Sequence, residues 1–270
     1  MVTINSNYAA SFAANAAKQT QSQLNSAMEK LSTGKRLNFA KDDAAGSAIA
    51  MRLESEIRGL AVSSRNASDG QSLIDTADGA LKEVHSMLVR MRELAVQVQN
   101  GTLQASDKTA LGVEYDALET EISRISDSTS WAGIKILNGD QAAGISFRVG
   151  AADNVTHAIP DMAASATTIN IASLTSVNDS GAIAGLDTAI GNVSSERAKL
   201  GAVSNRLDST VANLDQIRVN LTSSKGRIED ADFATETSNL AKGQILQQAA
   251  TAMVAQANAS KSSVLTLLRG

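Results

Sequence analysis

Between Asp43 and Gln99 an apolar residue returns at every seventh position: Leu53, Leu60, Ala67, Ile74, Leu81, Leu88 and Ala95. In the second half Ala77, Val84, Met91 and Val98 join them three residues further on. Seven-residue spacing lines these side chains along one side of a slightly underwound α-helix, so a partner helix must lie along that side. Leu73, Met87 and Leu94 form a second edge beside the first, which gives the helix two neighbours. One partner is evident downstream. Leu186, Val193, Leu200, Leu207, Leu214 and Leu221 keep the same interval, with Ile190, Val203, Val211 and Ile217 at companion positions. Leu111, Tyr115, Leu118, Ile122 and Ile125 alternate by four and three, which predicts a shorter antiparallel return over about residues 104 to 127. Asn100-Gly101 reads as the connecting turn, with glycine at positive φ ending the helix. A single proline, Pro160, leaves both flanks free to run helix, since an internal proline costs about 3 kcal/mol.

From Ser128 to about Ser180 the pattern changes to Gly, Ser, Thr, Asn and β-branched residues. Ile145, Phe147 and Val149, then Val155, His157 and Ile159, alternate at period two. These are two strands joined through Gly150 to Asn154, the second closed by Pro160. The expected fold class is therefore mainly α: long antiparallel heptad helices in a coiled-coil or helix-bundle rod, with a small β-hairpin region at about 131–178. Aromatic residues make up only 3% of the chain, so burial must come from many aliphatic contacts rather than a bulky aromatic core.

The two ends are different material. From Tyr8 to Leu31 alanine is the commonest residue, with Phe12, Leu24, Met28 and Leu31 as the larger apolar positions. The C-terminal stretch sets Leu246, Ala250, Met253, Ala257, Val264 and Leu268 in near-heptad order. Residues 1–40 carry Lys18, Lys30, Lys35 and Arg36 against Glu29, and residues 237–270 carry Lys242, Lys261 and Arg269 against no acid. On that count any docking of the two ends must be apolar. Between Thr235 and Arg269 only nine positions are Leu, Ile, Val or Met. Their burial, roughly 1.5 to 3 kcal/mol each, falls short of an ordering cost of about 1 to 2 kcal/mol per residue. The ends are thus expected to need neighbours, as the ends of an assembly subunit do.

Catalytic chemistry finds little support. The absence of cysteine removes disulfides, thiol nucleophiles and Cys-ligated zinc. The only histidines, His85 and His157, lack a second ligand at metal spacing and read as structural. Gly34-Lys35 is not a phosphate loop, because Glu29 and Arg36 stand where glycine and a hydroxyl residue are required. Asp42-Asp43 and Glu229 to Asp232 precede helices and read as caps. No enzyme activity, cofactor or metal is expected. A net charge of −4 and a pI near 5.3 exclude a globally basic nucleic-acid binder. No run of about 18 apolar residues exists to span a bilayer, and Met1 to Lys18 has neither the basic nor the apolar region of a cleaved signal peptide.

Several strings carry a family resemblance: LSTGKRLNFAKDDAAGSAIA (Leu31 to Ala50), SRNASDG (Ser64 to Gly70), RMRELAVQ (Arg90 to Gln97), LGAVSNRLDS (Leu200 to Ser209), GRIEDADFATE (Gly226 to Glu236), ILQQA (Ile245 to Ala249) and VLTLLR (Val264 to Arg269). In this order they resemble the signatures of the bacterial flagellins, over roughly residues 1–140 and 180–270. The resemblance implies a short form with little or no outer variable domain. Residues 1–42 with 229–270 would form a terminal coiled coil in the filament's inner layer, and 43–179 with 180–228 a core rod. Subunit packing would fall to Phe12, Leu24, Met28, Leu31, Leu246, Met253, Val264 and Leu268. The core seam would comprise Leu60, Ile74, Leu81, Leu88, Leu200, Leu207 and Leu214.

Further implied partners are other flagellin subunits in a homopolymer, a flagellar export chaperone, and cap and junction proteins. Export would run through the flagellar type III apparatus without a cleaved signal, to an extracellular filament. Arg90, Leu94 and Glu114 match the segment by which an animal Toll-like receptor recognises flagellin monomers. Two alternatives share features with this chain. A hook-filament junction protein can share STGKR at Ser32 to Arg36, but is not expected to carry EDADFATE and ILQQA together. A membrane-surface amphipathic helix would use the cationic Ala/Leu-rich C-terminus, whose three cations in residues 237–270 are too few.

Overall fold

The computed structural model describes residues 6–150, 153–171 and 181–269, the side chains of 264–269 excepted. Among the described residues there are five helices: α1 (Tyr8–Thr33), α2 (Ala44–Val98), α3 (Ala105–Ser128), α4 (Ala182–Glu229) and α5 (Phe233–Arg269). Two antiparallel hairpins stand between α3 and α4: β1 (Ser130–Trp131) with β2 (Ile134–Lys135), and β3 (Ile145–Arg148) with β4 (Asn154–His157). The chain divides into two compact units, residues 1–56 with 220–270 and residues 57–219.

In the unit of residues 57–219 the heptad stripes are buried. Ile74, Leu81, Leu88, Leu200 and Leu207 are inaccessible or nearly so, Leu214 is buried at its edge, and Leu60 is half-buried. Polar links tie α2 to α4: Gln71 to Asp208, Asp78 to Arg197 and Arg92 to Asp187. The numbers rise on one helix as they fall on the other, so the two run antiparallel. Arg90 on α2 pairs with Glu114 on α3, and Tyr115 and Ile122 of α3 enter the same core as Leu88, Met91 and Leu94.

The middle of the chain closes this core. Phe147 and Val155 are cross-strand partners in β3–β4, both buried, while Ser146 and Thr156 on the alternate face are exposed. Each strand stops short of its expected end. Val149 bonds Asp153 and Ile159 bonds Gln141 as irregular chain, although both side chains are buried. Residues 151–152 of the expected turn lie outside the described residues. The β1–β2 hairpin, which the strand pattern did not mark, turns on Ala132 and Gly133, both at positive φ, as a two-residue hairpin loop requires.

Carboxylates and amides cap the helices. Asn7 Oδ1 accepts from Ala10 N, Asp43 Oδ1 from Gly46 N, and Asp232 Oδ1 from Ala234 N. Gln104 and Asp107 form a reciprocal capping box on α3. Gly34 at φ 70° ends α1 in the left-handed conformation. Gly101 does not take positive φ; α2 instead ends where Asn100 N bonds Gln97 O, with Asn100 Oδ1 accepting from Thr102 N. The side chain of Asn100 therefore does the work expected of its glycine.

Candidate assembly surfaces

In the unit of residues 1–56 and 220–270, α1 and α5 lie against each other along their lengths. Asn7 donates to Ala257 O, Gln247 bonds Gln21, and Lys30 pairs with Glu236, so the pair is antiparallel. Ala13, Thr20 and Ala27, seven residues apart, are buried on α1 together with Leu24, and Leu24 packs at the Cβ-free Gly243 of α5. Small residues let the two backbones approach, and Thr20 satisfies its hydroxyl on Ala16 O at 2.9 Å.

The purely apolar docking expected of the two ends is not what forms. Lys30 lies 3.2 Å from Glu236, and Lys35 lies 2.7 Å from Glu229, which also takes Lys225 at 3.4 Å. Both acids stand just N-terminal to the acid-free stretch 237–270. Lys225 extends the network to Glu54. The Lys35 hydrogen bond, then Lys225, holds the Glu229 carboxyl below its ordinary range despite partial burial. The connections before α2 and after α4 are also joined through their main chains. Arg36 N donates to Glu229 O at 2.6 Å and Ala231 N to Gly34 O at 3.0 Å.

Large apolar side chains remain exposed on both helices of this pair. Phe12 is 74% exposed, Met28 53%, Met253 62% and Leu246 42%. Tyr8, Phe233 and Ile245 are exposed as well. Of the residues assigned to subunit packing, Leu24 is buried between α1 and α5 and Leu31 is half-buried, so these two serve the chain's own pairing. Val264 and Leu268 lie outside the described side chains.

In the other unit, Arg90 and Glu114 form an exposed ion pair at 2.8 Å, with Glu93 3.1 Å from the same guanidinium. Glu114 first and Glu93 second raise the arginine's pKa. Leu94 does not share this surface. It is fully buried, because its place on the second edge with Leu73 and Met87 turns it into the core. The exposed apolar residues next to the pair in sequence are Val89 and Val113.

A carboxyl side chain is also buried in this unit. Glu196 on α4, 2% exposed, accepts from His157 Nε2 at 3.0 Å and Lys199 Nζ at 3.0 Å, which fastens β4 to α4. Among the described residues no group of three His, Cys, Asp or Glu is arranged to hold a metal, and no helix is long and apolar enough to cross a membrane.

The comparisons with known proteins agree at both ends of the chain. The family model for the bacterial flagellin N-terminal helical region matches residues 4–142, and that for the C-terminal helical region matches residues 183–268. Flagellin of Bacillus subtilis is 42% identical over 98% of this chain and 99% of its own. Flagellin of Halalkalibacterium halodurans is 44% identical over 90% of this chain and 91% of its own. A solved Vibrio parahaemolyticus chain assigned to the flagellar hook-associated proteins has a TM-score of 0.60, covering 70% of this chain and all of that one; at 15% identity it shares the fold. With family models at both ends and full-length relatives above 40% identity, the chain belongs to the bacterial flagellin family.

Proposed function

We infer that this chain is a structural subunit of the bacterial flagellar filament and polymerises with further copies of itself. The observation that carries the reading is the set of large apolar side chains that the α1–α5 pair leaves exposed, Phe12, Met28, Leu246 and Met253 among them. Large apolar side chains gathered on one pair of helices mark a surface that another protein covers. In this reading residues 1–42 with 229–270 build the inner layer of the filament, and 43–179 with 180–228 the rod around it. The subunit leaves through the flagellar type III apparatus without a cleaved signal, is met by an export chaperone before assembly and by cap and junction proteins at the filament's ends, and resides outside the cell. As a monomer it presents the Arg90–Glu114 pair to an animal Toll-like receptor, without Leu94.

The test is seeded elongation: purified monomer is added to sonicated filament fragments and followed by sedimentation and electron microscopy. Filaments that lengthen in proportion to added monomer are expected. Monomer that stays in the supernatant while seeds remain competent for another flagellin would overturn the reading.

A further inference from the structure

We propose that Asn100 is a site of spontaneous covalent modification, at which water converts its side-chain amide to aspartate and isoaspartate while the same dipeptide elsewhere in the chain is protected. Asn-Gly occurs twice, at 100–101 and 138–139. In both, the asparagine Oδ1 accepts from the main-chain N–H two residues on, Thr102 N at 3.2 Å and Asp140 N at 3.2 Å. This turn folds the side-chain carbonyl back along the main chain, toward the nitrogen of the intervening glycine. Glycine offers no Cβ to obstruct that approach.

The reaction balances with water alone. The Gly101 nitrogen gives up its proton to hydroxide and attacks Asn100 Cγ. A C–N bond forms, the Cγ–Nδ2 bond breaks, and Nδ2 leaves as ammonia. Water then opens the resulting succinimide at either carbonyl, giving aspartate or isoaspartate. Negative charge develops on Oδ1 during attack, where the Thr102 N–H already donates.

The surroundings of the two sites differ. Asn100, Gly101 and Thr102 are all exposed, and the main-chain bond closing that turn, Leu103 N to Asn100 O, is long at 3.4 Å. Asn138 is half-buried beside the buried Leu137, whose carbonyl holds Met162 N at 2.8 Å. Its Nδ2, the leaving nitrogen, is bonded to Asp140 Oδ2 at 2.7 Å. That carboxylate opposes both deprotonation of the neighbouring amide and charge on Oδ1. Gly139 is held at φ 87° with Asp161 against its Cα side. The shared turn thus favours ring closure at Asn100, and packing with a fixed carboxylate suppresses it at Asn138. The product places a new carboxylate just beyond the C-terminal end of α2, where the helix dipole already puts partial negative charge. Isoaspartate also adds a methylene to the main chain between α2 and α3.

The full chain is held at mildly alkaline pH, digested with trypsin, and conversion is followed by mass and isoaspartate content in peptides 93–108 and 136–148. A parallel sample is kept unfolded in urea. Conversion in 93–108 is expected to be several-fold faster than in 136–148 in the folded chain, and the two are expected to approach each other in urea. Gly101→Ala, which meets no atom within 4 Å, should suppress conversion at Asn100. Equal rates in the folded chain, a gap that persists in urea, or undiminished conversion in Gly101→Ala would each overturn the proposal.

Discussion

Tyr115 on α3 is 1% exposed, and its hydroxyl has no hydrogen-bond partner. An unpaired buried polar group costs about 1–3 kcal/mol. Tyr115→Phe removes that oxygen and keeps the ring, so thermal melting of the monomer should shift upward. Burial, then the charges of Glu119 and Asp116, pushes the phenol up to about 12. The protonated form is thus favoured in the folded chain. That stability is fully present below the unfolded phenol pKa of about 10 and is lost as pH rises through about 12. Melting measured from pH 9 to 12 should fall more steeply for the wild-type chain than for Tyr115→Phe; parallel profiles would contradict the assignment. Glycines within α2 offer a second contrast. A Cβ at Gly79 meets nothing, so Gly79→Ala should gain about 1 kcal/mol. At Gly70 it would lie 2.8 Å from the Phe147 ring, so Gly70→Ala should fall short of that gain by about 1–3 kcal/mol, read from the two melting curves. The sequence announced Tyr115 as an apolar-face residue of α3, but its lack of a partner depends on what the fold brings nearby. The same holds for Gly70, whose need for openness is imposed by a strand residue 77 positions away.

At the scale of elements, what could be read in advance was what repeats locally. The seven-residue stripes of α2 and α4 and the four-three alternation of α3 are properties of one helix face, visible without knowing the neighbour. Leu88 and Leu207 are inaccessible in the structure, and Leu88→Ala or Leu207→Ala should each cost about 2–5 kcal/mol. Unchanged urea midpoints for both would mean that the stripes do not form the core. The features that escaped reading join elements distant in sequence. Lys30–Glu236, Lys35–Glu229 and Arg197–Asp78 require knowing the antiparallel register, which heptads alone leave open. His157 read as structural, but nothing local pointed to the buried Glu196 that receives it. The β1–β2 hairpin is two residues a side, too short for alternation to show. Leu94 is a related case: one helical turn from Arg90 it shares nearly the same face of α2, but it is fully covered by the core that α2 shares with α3, which one helix's sequence does not reveal.

In the whole molecule, one unit is self-sufficient and the other is half finished. The unit of residues 57–219 buries its aliphatic stripes, whereas the α1–α5 pair covers one side of each helix and leaves large apolar side chains in water. The sequence led to the expectation that ends so poor in large aliphatic residues need neighbours, but not that α1 and α5 would cover each other through small residues and ion pairs. The central claim is that these exposed apolar side chains serve assembly and not the fold of the monomer. It is tested most directly by Phe12→Asp combined with Met253→Asp, two exposed positions whose replacement removes no buried contact within the chain. Circular-dichroism melting of the double variant and sedimentation after seeding with filament fragments are measured together. A melting curve matching the wild type with elongation abolished is the predicted result, because unpaired carboxylates closed into an apolar interface cost several kcal/mol. Elongation at the wild-type rate would contradict the account.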